Sequence, residues 1–272
     1  MYIYDDSNRS SRSNISVFAM DYIKLLLLLI STALTISKDR TIRRLEYEFQ
    51  GNITSFEGSG GIKFQIEFTP FDRNTSTIQI ETEQWIHERM LNITHPPNLR
   101  IYAKRMKYNF PRINAYLRLH TYPSTIVLNE SAKLFTINPI YTRTLSLVLS
   151  GNSVAQVAVE VASELCARVS DSAQLSIRGV VAGTGFISVS DEGEVNARRC
   201  LIDEVFVNAS SASKINVAGA QRTGFTASGF GRIHYEKVNP KKSFFYYPFS
   251  STASKQLHTS IQLCFLVVTF LV

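Results

Sequence analysis

Apolar and polar residues alternate along most of this chain, and in the C-terminal half the alternation repeats. Serines spaced 20 residues apart mark the start of each repeat, at Ser150, Ser170, Ser190 and Ser210. Apolar side chains fill the sixth position of every repeat: Ala155, Leu175, Val195 and Ile215. They also fill the eighth: Val157, Ile177, Ala197 and Val217. The eighteenth and twentieth positions are small or apolar as well, from Ala167 and Val169 in the first repeat to Ala227 and Gly229 in the fourth.

A spacing of two residues is typical of strands that turn one side inward. No single repeat has enough apolar surface to fold alone, but stacked repeats join their inward sides into one core. The repeats therefore predict an all-β fold, a single-stranded parallel β-helix or β-solenoid with rungs of about 20 residues. A last, shifted repeat starts at Ser228 and places Ile233 and Tyr235 in the sixth and eighth positions.

Residues 38–149 alternate in the same way, in less regular units. Prolines at positions 96, 97, 111, 123 and 139 fall between the alternating runs, where they separate strands. We expect this region to form further strands that continue the solenoid and cap its open N-terminal end, because unpaired strand edges promote aggregation.

Several segments resemble a known family. They are NLRIYAKR (Asn98–Arg105), INAYLRLH (Ile113–His120), LVLSG (Leu147–Gly151) and SGFGRIHY from Ser228. Together with the serine-led repeats, they are similar to the putative auto-transporter adhesin head GIN domain family over residues 42–237. The chain departs from that family where SDEGEVNA, from Ser190, replaces the usual Ser-Gly-Ser-Gly-Asp corners. The resemblance implies a right-handed β-helix with a surface role, and it supplies no catalytic residues.

Acidic residues at the repeat corners are the main candidates for chemistry. Asp171 and Asp191 share the second position of adjacent repeats, so their carboxylates would lie about 5 Å apart, the separation of a retaining glycosidase pair. Glu192 could join them around a calcium ion. The simpler interpretation, which we favour, is that these side chains form hydrogen bonds in turns. We therefore expect no enzymatic activity, no cofactor and no metal.

Cys166 and Cys200 fall at different positions of repeats that lie two rungs apart. Two rungs span about 9.6 Å, whereas the Cα atoms of a disulfide are 4.4–6.8 Å apart. The repeat register thus predicts two unpaired thiols.

Both ends of the chain carry targeting signals. Lys24 precedes an apolar run at residues 25–37 that has the length of a signal-peptide core, so residues 1–37 are interpreted as an extension plus signal peptide. Near the other end, small residues at Ser250 and Ser251 are followed by a polar spacer and an apolar tail at residues 261–272. This order is typical of a signal for attaching a glycosylphosphatidylinositol (GPI) lipid, with Ser250 or Ser251 as the attachment residue. Between the two signals the chain would comprise residues 38–149 and the repeats at 150–237, and residues 238–260 would be a linker plus the spacer of the anchor signal.

Acceptor sequences for N-linked glycans support a secretory route. They occur at Asn52, Asn74, Asn92, Asn129 and Asn208. The formal charge of +7 is spread thinly over the chain, which argues against nucleic acid as a partner. We expect a glycoprotein on the extracellular face of the plasma membrane that presents its solenoid to a protein or glycan ligand. An extracellular carbohydrate-active enzyme and a structural coat protein are the alternatives.

Overall fold

A computed structural model of the protein describes residues 42–70, 75–104 and 112–237. This part of the chain contains one short helix, and its strands join in a single 15-stranded sheet. The sheet curls into a β-solenoid of about six turns, which confirms the predicted fold class. The helix is α1 (Gln84–Arg89). The strands, in chain order, are β1 (Ile42–Gln50), β2 (Ser55–Ser59), β3 (Lys63–Phe68), β4 (Thr75–Glu83), β5 (Leu91–Ile93), β6 (Asn98–Ala103), β7 (Asn114–Leu119), β8 (Thr125–Leu128), β9 (Lys133–Thr136), β10 (Ile140–Leu149), β11 (Val154–Val169), β12 (Gln174–Val189), β13 (Glu194–Ala209), β14 (Lys214–Ala227) and β15 (Arg232–Lys237).

The solenoid has two walls, because β11 to β14 each contribute one half to either side. The first wall consists of β1, β4, β7, β3 and β9, then the first halves of β11 to β14, and finally β15. The second wall consists of β5, β6, β2, β8 and most of β10, then the second halves of β11 to β14. The walls pack against each other through their inward side chains. Phe56 of β2 and Phe64 of β3, for example, meet edge to face with ring centroids 5.1 Å apart.

The repeat register is confirmed between β11 and β12, where every paired residue is 20 positions from its partner, from Val154 and Gln174 to Val169 and Val189. The inward positions along these strands are buried, as the alternation predicts. The assignment for the fourth repeat is wrong in its second half. There Val207 pairs with Phe225, and Ala209 pairs with Ala227. The 20-residue count instead assigns Ala227 to Val207 and Gly229 to Ala209. The two assignments differ because β14 is two residues shorter than β13. The shifted last repeat is confirmed, since Ile233 pairs with Ile215 and Tyr235 with Val217.

The strands before residue 150 join the same sheet in an order that differs from the chain order. On the second wall, β2 lies between β6 and β8. On the first wall, β3 lies between β7 and β9. Beyond β7, strands β4 and β1 extend the first wall in antiparallel fashion, and β5 does the same beyond β6. The core positions expected in this region are buried, among them Ile78, Leu117 and Leu147. That these outer strands act as a cap stays a prediction.

Within the residues described, no helix is long and apolar enough to span a membrane. The segments interpreted as a signal peptide, linker and lipid-attachment signal, including Ser250 and Ser251, lie outside those residues, as does Asn74.

Candidate functional site

The corners that connect successive rungs are tight turns whose second residue has a positive φ. Asp171 and Asp191 occupy this position with φ values of 57° and 58°. The Asp171 carboxylate accepts a hydrogen bond of 2.8 Å from the backbone N–H of Gly151, one rung earlier. The Asp191 carboxylate accepts a bond of 2.9 Å from the Ser190 hydroxyl and a longer one, 3.4 Å, from the backbone N–H of Asp171. Both carboxylates therefore serve the corners, as the turn interpretation predicts.

Glu192 lies beside these corners without forming a metal site with them. Its carboxylate accepts a hydrogen bond of 3.2 Å from the Ser172 hydroxyl at the corner of the preceding rung. Across the described residues, no group of three or more His, Cys, Asp or Glu side chains is arranged to hold a metal ion. Asp171, Asp191 and Glu192 each accept a hydrogen bond from a residue of the corners.

The two cysteines are unpaired, as the register argument predicts. Cys166 is half-buried and points outward from the second wall beside Phe186, whereas Cys200 is buried on the first wall beside Gly179. The pairing with Gly179 places Cys200 one position earlier in its rung than the simple 20-residue count does. Burial raises the pKa of the Cys200 thiol to about 12, so this thiol is inert at physiological pH.

The first wall carries a group of three exposed arginines, which we call the arginine bulge: Arg178, Arg198 and Arg199. Arg178 of β12 pairs directly with Arg199 of β13, after the register shifts by one residue beyond Ser176. On the other side of β13, the pairing with β14 jumps from Ala197 to Leu201, so residues 198–200 are extra residues relative to β14. Like charges directly opposite each other destabilise a sheet, and bulges often re-aim side chains at functional sites.

Gly179 fits the backbone at this bulge. It has φ of 124°, which L side chains rarely adopt, and a Cβ atom there would overlap the carbonyl oxygen of Val159 on the adjacent strand. The position directly after Arg178 therefore requires glycine.

A half-buried carboxyl group lies next to the arginine bulge. Glu160 of β11 pairs with Val180, two residues after Arg178, and with Tyr141 on its other side. Burial raises the pKa of the Glu160 carboxyl, and the hydrogen bond that Tyr141 donates to it opposes this shift. Burial also raises the pKa of the neighbouring Tyr122 hydroxyl to about 12.

The second wall carries a different feature, a phenylalanine column formed by Phe186 and Phe206. These residues pair across β12 and β13, and their rings stack with centroids 5.5 Å apart and planes inclined by 17°. Both side chains point outward and are about two-fifths exposed, at 41% and 40%. They line an open groove of about 710 Å³.

Of the acceptor asparagines that the structure describes, Asn92 and Asn208 lie on the same wall as this column, and Asn52 and Asn129 lie in corners beside it. Asn52 precedes β2, Asn92 lies in β5, Asn129 follows β8, and Asn208 lies in the second half of β13. Asn52 and Asn208 are exposed, and Asn92 is half-buried. Asn129 is half-buried and held in its corner, since its side chain accepts a bond of 2.9 Å from Ser150 and donates one of 3.4 Å to Glu57. Among the described residues, the first-wall strands contain no acceptor asparagine.

Sequence reasoning missed the arginine bulge, although a signal for it was present. Arg178 and Arg198 share the ninth position of adjacent repeats, which places two outward cations one rung apart. The register shift that brings Arg199 opposite Arg178 has no counterpart in the repeat pattern.

A family model described as "Putative auto-transporter adhesin, head GIN domain" matches residues 59–238 of the chain. The chain belongs to this family. The resemblance seen in the sequence is thereby confirmed, and the family supports an adhesin-like protein of the cell surface. No curated protein matches the chain in sequence.

Solved structures support the same fold. A structure described as a putative adhesin from Bacteroides fragilis aligns with a TM-score of 0.58 at 11% identity, covering 73% of this chain and 95% of the other. A putative adhesin from Parabacteroides merdae aligns with a TM-score of 0.51 at 16% identity, covering 72% and 97%. A protein from Parabacteroides distasonis, described as a putative lipid binding protein, aligns with a TM-score of 0.52 at 14% identity, also covering 72% and 97%. At these identities the likeness concerns the fold of the adhesin head domain alone.

Proposed function

We propose that this protein is an adhesin displayed on the outer surface of a cell, and that its first wall binds the ligand. Family membership supports the surface role. A solenoid suits adhesion because its stacked rungs build a stiff, extended face. The first wall is the better candidate of the two, because glycans at the described acceptor sites would lie on or beside the second wall.

The arginine bulge carries the proposal and points to the chemistry of the ligand. Arg178 and Arg199 face each other across adjacent strands, so their guanidinium groups can both reach one anionic group. Guanidinium groups form paired hydrogen bonds with carboxylates and sulfates, and such charge-assisted bonds are stronger than neutral ones. A ligand with repeated acidic groups, such as an acidic glycan, matches this surface.

Binding to heparin, a sulfated polysaccharide, tests the assignment. We expect the triple variant R178Q/R198Q/R199Q to bind at least about tenfold more weakly than the wild type, because loss of even one charge-assisted hydrogen bond is worth about that factor. The matched control is R112Q/R143Q/R168Q, which removes the same charge from exposed arginines outside the bulge. Equal losses in both variants would show that net charge alone drives binding and would count against the site.

The proposal includes a secretory route, with N-linked glycans at Asn52, Asn92, Asn129 and Asn208, and at Asn74 outside the described residues. It rests on the acceptor sequences and on the apolar run at residues 25–37. Mass spectrometry of the protein purified from secretory cells would measure the occupancy of each asparagine.

We also propose attachment to the extracellular face of the plasma membrane through a GPI lipid at Ser250 or Ser251, which replaces the whole segment after that residue, including the tail at residues 261–272. The proposed lipid attachment rests on the C-terminal sequence alone. GPI attachment is a eukaryotic modification, whereas the structural relatives come from bacteria. Phosphatidylinositol-specific phospholipase should release the protein from intact cells. Retention after phospholipase treatment would contradict the lipid anchor while leaving the surface role intact.

A further inference from the structure

The phenylalanine column is an exposed apolar surface on the second wall. Phe206 and Phe186 stack on each other, but one side of the pair remains exposed to solvent. Gly224 of β14 pairs with Phe206, and a Cβ atom at position 224 would come within 2.7 Å of the Phe206 ring. Because position 224 has no side chain, the Phe206 ring can lie close to the sheet with one face exposed to solvent.

Asn208 is placed to cover this surface. It follows Phe206 by two residues on β13, so both side chains leave the same side of the sheet about 7 Å apart. Its neighbours across the strands are Ser188 and Thr226, whose short side chains leave room above the sheet. The same groove is lined by both phenylalanines and by Asn208. An acceptor asparagine thus stands beside the exposed aromatic surface.

We infer that the N-acetylglucosamine attached to Asn208 packs against Phe206 and the adjoining edge of Phe186. One face of this sugar presents C–H groups with partial positive charge, and the face of an aromatic ring is negative. The hydroxyl groups of Ser188 and Thr226 flank the asparagine and offer hydrogen-bond partners to the sugar. The inference rests on the proposed secretory route, and it assigns the second wall to the protein's own glycan.

This assignment gives the two walls separate roles. A glycan over the phenylalanine column shields this stacked aromatic surface and blocks association through it. The arginine bulge on the first wall remains accessible to a ligand.

A thermal double-mutant cycle on the full chain, expressed in mammalian secretory cells, tests the packing. We expect N208Q to lower Tm by about 2–4 °C, the shift that about 1 kcal/mol produces in a domain of this size. In a background carrying Phe206→Ala, removal of the glycan should change Tm by less than about 1 °C, since the packing surface is gone. Asn52→Gln is the matched control, because Asn52 is exposed and the residue two before it, Gln50, is not aromatic.

Enzymatic trimming separates the first sugar from the rest of the glycan. Trimming to a single N-acetylglucosamine should keep the full Tm, because that sugar makes the contact. Equal Tm losses for N208Q with and without Phe206 would overturn the inference, as would an unoccupied Asn208 in a protein glycosylated elsewhere. A dimer of the glycosylated wild type that Phe206→Ala dissociates would also overturn it. If no acceptor asparagine is occupied, the secretory proposal itself fails, and mass spectrometry distinguishes that case.

Discussion

The carboxylate of Asp171 accepts a hydrogen bond from the backbone N–H of Gly151, and this bond links the corners of two successive rungs. Asp171 has φ of 57°, a conformation that Gly, Asn and Asp adopt more readily than most other residues. The position therefore combines two requirements, an acceptor oxygen and a left-handed backbone.

Substitutions at Asp171 should separate these two requirements. Asp171→Asn keeps both, and we expect stability close to that of the wild type. Asp171→Gly loses the bond but suits the backbone, at a cost of about 1 kcal/mol. Asp171→Ala loses the hydrogen bond and also disfavours the left-handed backbone, so it should cost about 1–2 kcal/mol more than Asp171→Gly. Urea unfolding measures the series, and an Ala variant as stable as the Asn variant would contradict the structural role. If the wild type hydrolyses a polysaccharide and D171N/D191N does not, the alternative of an extracellular carbohydrate-active enzyme would be supported instead.

The thiols should differ sharply in reactivity. Cys166 is half-buried at the surface of the second wall, whereas the buried Cys200 has a pKa of about 12 against a usual value of 9.0. This difference reduces the thiolate fraction of Cys200 about a thousandfold at neutral pH. Alkylation of the folded protein, followed by peptide mapping, should label Cys166 and spare Cys200. A disulfide between them, or equal labelling rates, would show that the register is wrong.

Gly58 should be intolerant of a larger residue. It faces inward from β2, and an added Cβ atom would overlap the ring of Phe64 on the opposite wall. We expect Gly58→Ala to cost about 1–3 kcal/mol of unfolding free energy, as overpacked cores do. The outward-facing neighbour provides the control, since Ser59→Ala should be nearly neutral. Because Phe64→Leu makes room, the double variant G58A/F64L should lose less than the sum of the two single variants.

The carboxyl of Glu160 should make stability depend on pH. Its folded pKa is raised above the usual 4.5, chiefly by burial. The stabilisation gained from the neutral carboxyl is therefore complete below the unfolded pKa and is lost as the pH rises through the folded value. Glu160→Gln should raise Tm relative to the wild type above that folded pKa, and the difference should shrink as the pH falls towards 4.5. A difference that grows on acidification would contradict this assignment.

The sequence predicted the solenoid well where each rung repeats the one before. Between β11 and β12 the corner residues recur every 20 positions, and the inward apolar side chains follow the same count. The insertion of β2 and β3 between later strands could not be predicted, because these pairings join distant segments that share no repeat. Likewise, the bulge at Arg198 and Arg199 depends on a local register shift that alternation alone does not encode.

Adhesion itself gives the most direct test of the central claim, that the first wall binds an acidic ligand through the arginine bulge. Beads coated with equal amounts of wild-type protein, R178Q/R198Q/R199Q or the control R112Q/R143Q/R168Q would be counted on a cell layer displaying sulfated glycans. We expect attachment by the wild type and the control, inhibition of both by soluble heparin, and loss of most attachment for the bulge variant. Undiminished attachment of the bulge variant would contradict the claim.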